Sequence, residues 1–141
     1  MAKAKAVIGV SVGRVEGVEK VSGSALYAAD IHYPGVLWGK VLRSPYPHAR
    51  IVNIDTSKAR KVQGVRAVVT GKDGPDRYVG KSIRDIPVLC WDKVRYIGDK
   101  VAAVAAETLE AAEEAVGLIE VQYEELPAVF DPLKAMEPGA P

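Results

Sequence analysis

Between Lys100 and Glu124 the sequence changes its period twice, and that succession restricts the fold more than any other feature. Lys100-Val101-Ala102-Ala103-Val104-Ala105-Ala106 is a short apolar run of the length expected for a covered strand. Thr108 then offers a side-chain oxygen as a helix cap, and Glu110 sits near the positive end of that helix. Leu109, Ala112, Val116 and Ile119 recur at offsets of three and four, which places them on one helical face. Glu120-Val121-Gln122-Tyr123-Glu124 alternates as a returning strand and ends at Leu126-Pro127.

The rest of the chain adds strands. Val36 to Arg43 is apolar and β-prone, and it stops at Ser44-Pro45-Tyr46-Pro47 because two prolines cannot feed a sheet ladder. Arg50 to Asp55 alternates as a second strand. Asp55, Thr56 and Ser57 suit the cap of a short helix through Gln63, stopped by Gly64, and Val65 to Thr70 follows as strand. Val94-Arg95-Tyr96-Ile97 and Lys100 to Ala106 read as two strands joined in a hairpin at Gly98-Asp99. Asp131-Pro132 opens a last helical turn toward Met136. Residues 1–35, with turn signals at Gly13, Gly17, Ser22-Gly23-Ser24 and Pro34-Gly35, predict a loop-rich entry with short extended pieces. Gly71 to about Arg84 predicts a solvated, mobile loop. The order lacks regular βαβα alternation and shows no internal repeat, so the expectation is an α+β fold with a mixed β-sheet and two short helices.

A chain of 141 residues with 48% apolar content can bury one core without metal or disulfide support. Lys plus Arg number 19 against 18 Asp plus Glu, and this net charge of +1 argues against nucleic acid or anionic lipid as a partner. Cys90 is the only cysteine, so neither an intramolecular disulfide nor a four-thiolate iron–sulfur cluster can form within the chain. Its setting, Pro87-Val88-Leu89-Cys90-Trp91, predicts an inert packed thiol. Met1 to Val12 has the outline of a signal peptide, yet its apolar part is short and β-branched, contains Gly9 and is interrupted by Gly13-Arg14. A cytoplasmic protein is expected.

Chemistry-bearing constellations are sparse. His32 and His48 lie in different turn-like segments without a metal-ligand partner at short spacing. Gly13-Arg14-Val15-Glu16-Gly17 lacks the spacing of a dinucleotide fingerprint, and no Lys-Ser or Lys-Thr pair follows a glycine loop. Glu107, Glu110, Glu113 and Glu114 read as solvated carboxylates on or beside the polar face of the helix, and Ser44 and Ser57 have no nucleophile-elbow setting. No catalytic, cofactor-binding or metal-binding residue is therefore named. Arg43-Ser44-Pro45-Tyr46-Pro47-His48-Ala49-Arg50 stands apart, with two arginines and a histidine around a proline-stiffened turn. It suits two roles: donors preorganised for a partner or anion, or arginines paired with nearby carboxylates while His48 caps the turn.

That segment also carries a family likeness. The chain resembles the α/β-hammerhead domain at the start of the molybdopterin-binding large subunits of xanthine dehydrogenases, aldehyde oxidases, carbon monoxide dehydrogenases and aromatic acyl-CoA reductases. Matching stretches run in order: Val18 to Gly23 with Tyr27-Ala28-Ala29-Asp30, then Pro34 to Gly39, Leu42 to Ile51, Asp92 to Thr108, Ala111-Ala112 and Val121 to Val129. The resemblance implies a hammerhead domain over residues 13–135, an N-terminal extension over 1–12, and a linker over 136–141 toward a molybdopterin domain. It further implies a structural domain or subunit of a molybdenum hydroxylase, not active alone, that packs against molybdopterin-binding and iron–sulfur partners. Molybdopterin with molybdenum, [2Fe–2S] clusters and flavin are implied in the full enzyme and none in this chain. Tyr27, Asp30, Arg43, His48 and Arg50 are the candidate interface residues. The alternative is a free-standing interaction or carrier module with a hammerhead-like fold, to which Asp92-Lys93-Val94 fits poorly because a carrier lysine needs an exposed hairpin tip between small neighbours.

Overall fold

The computed structural model describes residues 8–9, 11–74 and 78–141, so the extension expected over residues 1–12 falls largely outside the described residues. The chain divides after Pro34 into two units.

In the first unit, α1 (Gly17–Ser22) replaces the expected extended pieces. Its helical turns have local causes. Glu16 and Lys20 pair four residues apart, and Gly23 takes a left-handed φ of 74°, which turns the amides of Ser24 and Ala25 back onto the Glu19 carbonyl at 2.9 and 3.0 Å. A 3-10 turn, Ala28–Asp30, follows, and neither element contains a buried residue.

Among its described residues the second unit holds eight strands: β1 (Trp38–Arg43), β2 (Ala49–Asp55), β3 (Val65–Thr70), β4 (Tyr78–Val79), β5 (Ile86–Pro87), β6 (Lys93–Val94), β7 (Lys100–Ala106) and β8 (Glu120–Glu125). The helix α2 spans Leu109–Gly117. Strands order as β1-β7-β3 in one sheet, β6-β2-β8 in a second and β4-β5 in a two-stranded ribbon. The α+β hammerhead class stands, but all five ladders are antiparallel rather than mixed in direction. The β4-β5 ribbon interrupts the segment expected to be wholly loop. The helix expected through Gln63 is only a 3-10 turn, Ala59–Lys61, and the one expected before Met136 is likewise a 3-10 turn, Lys134–Met136.

The expected hairpin at Gly98-Asp99 is corrected. Gly98 has φ 91° and the Asp99 amide donates to the Tyr96 carbonyl at 3.1 Å, so a tight turn does form there. The strands leaving it separate, however: β6 joins β2 through the pairs Ala49↔Val94 and Arg50↔Lys93, whereas β7 lies between β1 and β3. Hydrogen bonds from the Ser44 amide to the Asp99 carbonyl (2.8 Å) and from the Cys90 amide to the Lys100 carbonyl (2.7 Å) tie the start of β7 to other parts of the chain.

Thr108 caps α2 as the sequence predicts, its Oγ1 accepting from the Ala111 amide at 3.1 Å. The helix packs on β1 and β7, burying Ala111, Ala112 and Ala115. One core cluster joins Ala59, Val68, Ala102, Val104, Ala115 and Ile119; a second joins Ala49, Ile51, Cys90, Val94 and Val101. Ile54 and Val121 pack against both and bridge them. Among the described residues no apolar side chain larger than valine is fully buried, so close approach of backbones rather than bulk fills the interior.

Candidate functional site

The proline turn that follows β1 is fixed from below by buried polar groups. Ser44 and Asp99, 2% and 1% exposed, are the buried polar residues of the described chain. Ser44 Oγ meets both the amide and the carbonyl of Tyr46 at 3.0 Å, which shapes the Pro45 turn. The Gly98 amide donates to the Ser44 carbonyl at 2.8 Å, so this turn is joined to the one spanning Tyr96 to Asp99. The Asp99 carboxylate accepts from the amides of Arg95 (3.1 Å) and Lys100 (3.0 Å), which compensates its burial. Cys90 lies beside it. Burial, reinforced by the hydrogen bond to Asp99 and by its charge, pushes the thiol pKa up to about 12, which makes it unsuitable as a nucleophile or a metal ligand.

The candidate interface residues take separate positions. The Arg43 guanidinium donates to the Gly98 carbonyl at 2.9 Å rather than to a carboxylate. His48 Nδ1 lies 2.6 Å from the Pro127 carbonyl, linking the proline turn to the segment after β8. Arg50 Nε approaches Glu124 at 3.5 Å, and with both side chains more than half exposed such a pair contributes about 0–1 kcal/mol. Tyr27 and Asp30 belong to the first unit, where the Tyr27 amide donates to the Asp30 carboxylate at 2.9 Å. Within the second unit, Arg43, His48 and Arg50 each engage a different partner.

In the second unit, His48 faces an open groove of about 560 Å³ whose walls include Lys93, Arg95, Tyr96, Ile97 and Phe130. Arg50 faces an adjoining depression shared with Asp92 and Leu126, and Lys93 stands between the two. Ile97 is 65% and Phe130 79% exposed, so the groove presents apolar surface to solvent. Sequence reasoning did not select Lys93, Arg95, Tyr96, Ile97 or Phe130. The only available signal was an isolated phenylalanine beyond the last strand.

Lys93 lies within β6, paired to β2, and not at a hairpin tip, which agrees with its poor fit to a carrier lysine. Among the described residues no three His, Cys, Asp or Glu side chains converge as metal donors, and every buried side-chain nitrogen or oxygen already has a partner. No described helix is long and apolar enough to cross a membrane.

Residues 22–127 match the family model described as "Aldehyde oxidase and xanthine dehydrogenase, a/b hammerhead domain". The chain is 55% identical over 129 residues to a probable xanthine dehydrogenase subunit of Bacillus subtilis, covering 90% of this chain and 17% of that protein. It is 43% identical over 143 residues to the nicotinate dehydrogenase large molybdopterin subunit of Eubacterium barkeri, covering 100% of this chain and 33% of the relative. Among solved structures, a Cu,Mo-CO dehydrogenase superposes with TM-score 0.89 at 42% identity, covering 94% of this chain and 17% of that one. The chain thus spans from about a sixth to a third of the length of these relatives.

Proposed function

The chain belongs to the aldehyde oxidase and xanthine dehydrogenase a/b hammerhead family, and from that premise we propose that it serves a molybdenum hydroxylase as a structural, non-catalytic domain or subunit. The carrying observation is the match over residues 22–127 to a domain that, in the similar proteins, is a small part of a much longer polypeptide. In this reading molybdopterin with its molybdenum, [2Fe–2S] clusters and flavin are held by the molybdopterin-binding and iron–sulfur parts of the enzyme. This chain supplies a surface for them to pack against. The hammerhead runs over residues 13–135, with 1–12 as an extension and 136–141 as a linker, and the enzyme works in the cytoplasm. Tyr27, Asp30, Arg43, His48 and Arg50 contribute to the contact.

The intrachain bonds of Arg43 and His48 support a positioning role, because each fixes a turn from which neighbouring side chains project. The test is affinity purification of the tagged chain from its source cells, with molybdenum and iron measured in whatever polypeptides accompany it. A molybdenum-containing polypeptide is expected to copurify, and the chain purified alone is expected neither to hold molybdenum nor to oxidise an aldehyde or purine. Turnover by the isolated chain, or stoichiometric molybdenum in it, overturns the reading.

A further inference from the structure

We propose that Lys93 anchors a docking groove for an acidic polypeptide segment of the companion part of the enzyme, one that sets a carboxylate beside an apolar side chain. The inference rests on the domain reading above and adds the chemistry of the partner.

Residues directly opposite each other in an antiparallel pair point to the same face, and Arg50 stands directly opposite Lys93. Two like charges at such a position destabilise a sheet. Arg50 has Glu124 across its other side, at 3.5 Å. Lys93, though only partly exposed, has among the described residues no carboxylate within 4.0 Å of its ammonium group. Arg95, two residues on, reaches Asp92 only at 3.9 Å. The lining of the groove therefore includes two cations, Lys93 and Arg95, and no carboxylate side chain, while Arg50 and its partner Glu124 stand beside it.

The remaining walls include the exposed apolar side chains of Ile97 and Phe130 and the exposed ring of Tyr96. An occupant that offers both an anion and an apolar group satisfies both halves of the groove, whose volume lies in the range that encloses a short ligand segment. Nucleic acid is disfavoured. Its binding depends on many phosphate contacts, whereas the groove offers only Lys93 and Arg95 as full cations and the chain's net charge is only +1. A polypeptide bearing one or two acidic residues needs no larger positive field.

The experiment uses the enzyme as purified from its source. A carbodiimide couples Lys93 to any carboxylate in direct contact, and mass spectrometry of the digest locates the bond. The expected product joins Lys93 to an Asp or Glu outside residues 1–141, with Lys93 at least tenfold less acetylated in the assembly than in the free chain. Lys93→Glu is expected to cut recovery of the companion at least tenfold while leaving the circular dichroism of the free chain unchanged, and Lys93→Arg is expected to restore it. If the companion copurifies yet Lys93 stays as open to acetylation as in the free chain, or couples only to this chain's own carboxylates, the groove proposal fails and the domain reading survives. Recovery of nucleic acid in place of a polypeptide also overturns it. If no molybdenum-containing polypeptide copurifies at all, both fall.

Discussion

Replacing Asp99 by alanine removes the group on which two turns depend. Its carboxylate accepts from the amides of Arg95 and Lys100 at 3.1 and 3.0 Å, and at 1% exposure no water can take its place. Each hydrogen bond to an ionised acceptor contributes about 1.5–3 kcal/mol, and an orphaned buried amide costs a similar amount. Removing the buried charge recovers part of this, so Asp99→Ala should cost about 3–5 kcal/mol. Asp99→Asn keeps an acceptor oxygen for one amide and turns an NH2 toward the other, so it should cost roughly half as much. With a urea m-value of about 2 kcal/mol/M, the midpoint should fall by about 2 M for alanine and about 1 M for asparagine. Trp91, half-buried with its ring centroid 5.4 Å from that of Tyr78, offers a fluorescence probe close to the affected turns, with circular dichroism as a second. The reasoning is refuted if alanine costs under about 1 kcal/mol, or if asparagine is the more damaging of the two.

Three further outcomes follow from the same structure. The thiol of Cys90 is ordinary in the unfolded chain, near 9.0, and raised to about 12 when folded, so its contribution is complete below pH 9 and is lost as pH climbs toward 12. The stability difference between the native chain and Cys90→Ala should shrink by about 1.4 kcal/mol per pH unit over that window, and a constant difference in urea titrations contradicts this. A Cβ placed on Gly71 would stand 2.7 Å from the Leu89 carbonyl oxygen and 2.8 Å from the Cys90 backbone, so Gly71→Ala should destabilise by about 1–3 kcal/mol. An unchanged thermal midpoint would count against that close approach. Thr108→Ala, which removes the cap of α2, should cost about 1 kcal/mol, readable as a fall in the urea midpoint that Thr108→Ser largely avoids.

The parts of this fold that were readable in advance are those decided within a few residues. Pro45 and Pro47 stop β1, Thr108 caps α2, and Gly64 precedes β3, each through a steric or hydrogen-bonding rule that acts locally. The Tyr96–Asp99 turn was readable for the same reason, but the partners of the strands beside it were not. A Gly-Asp pair states that the chain reverses; whether the flanks then pair depends on Ser44 and Cys90, remote in sequence, which bond Asp99 and Lys100. In the first unit a glycine signals a turn in sequence, but Gly23 is equally a residue that ends a short helix, and it does so here. Arg43, His48 and Arg50 were visible because they share one short segment. The groove was not, since its walls come from four stretches, around His48, Arg95, Phe130 and Pro141, that become neighbours only on folding.

The pairing scheme also sets an order on biosynthesis. β1 waits for β7, β3 waits for β7 and β2 waits for β6 and β8, so among the described residues no ladder can close until Ile86 and Pro87 have been made. As the polypeptide leaves the ribosome, its leading half carries strand sequences with nothing to zip against, and Trp38, Val41 and Ile51 meet water or a chaperone first. Most of the architecture then assembles in a late burst, once the residues from Lys93 to Glu125 emerge.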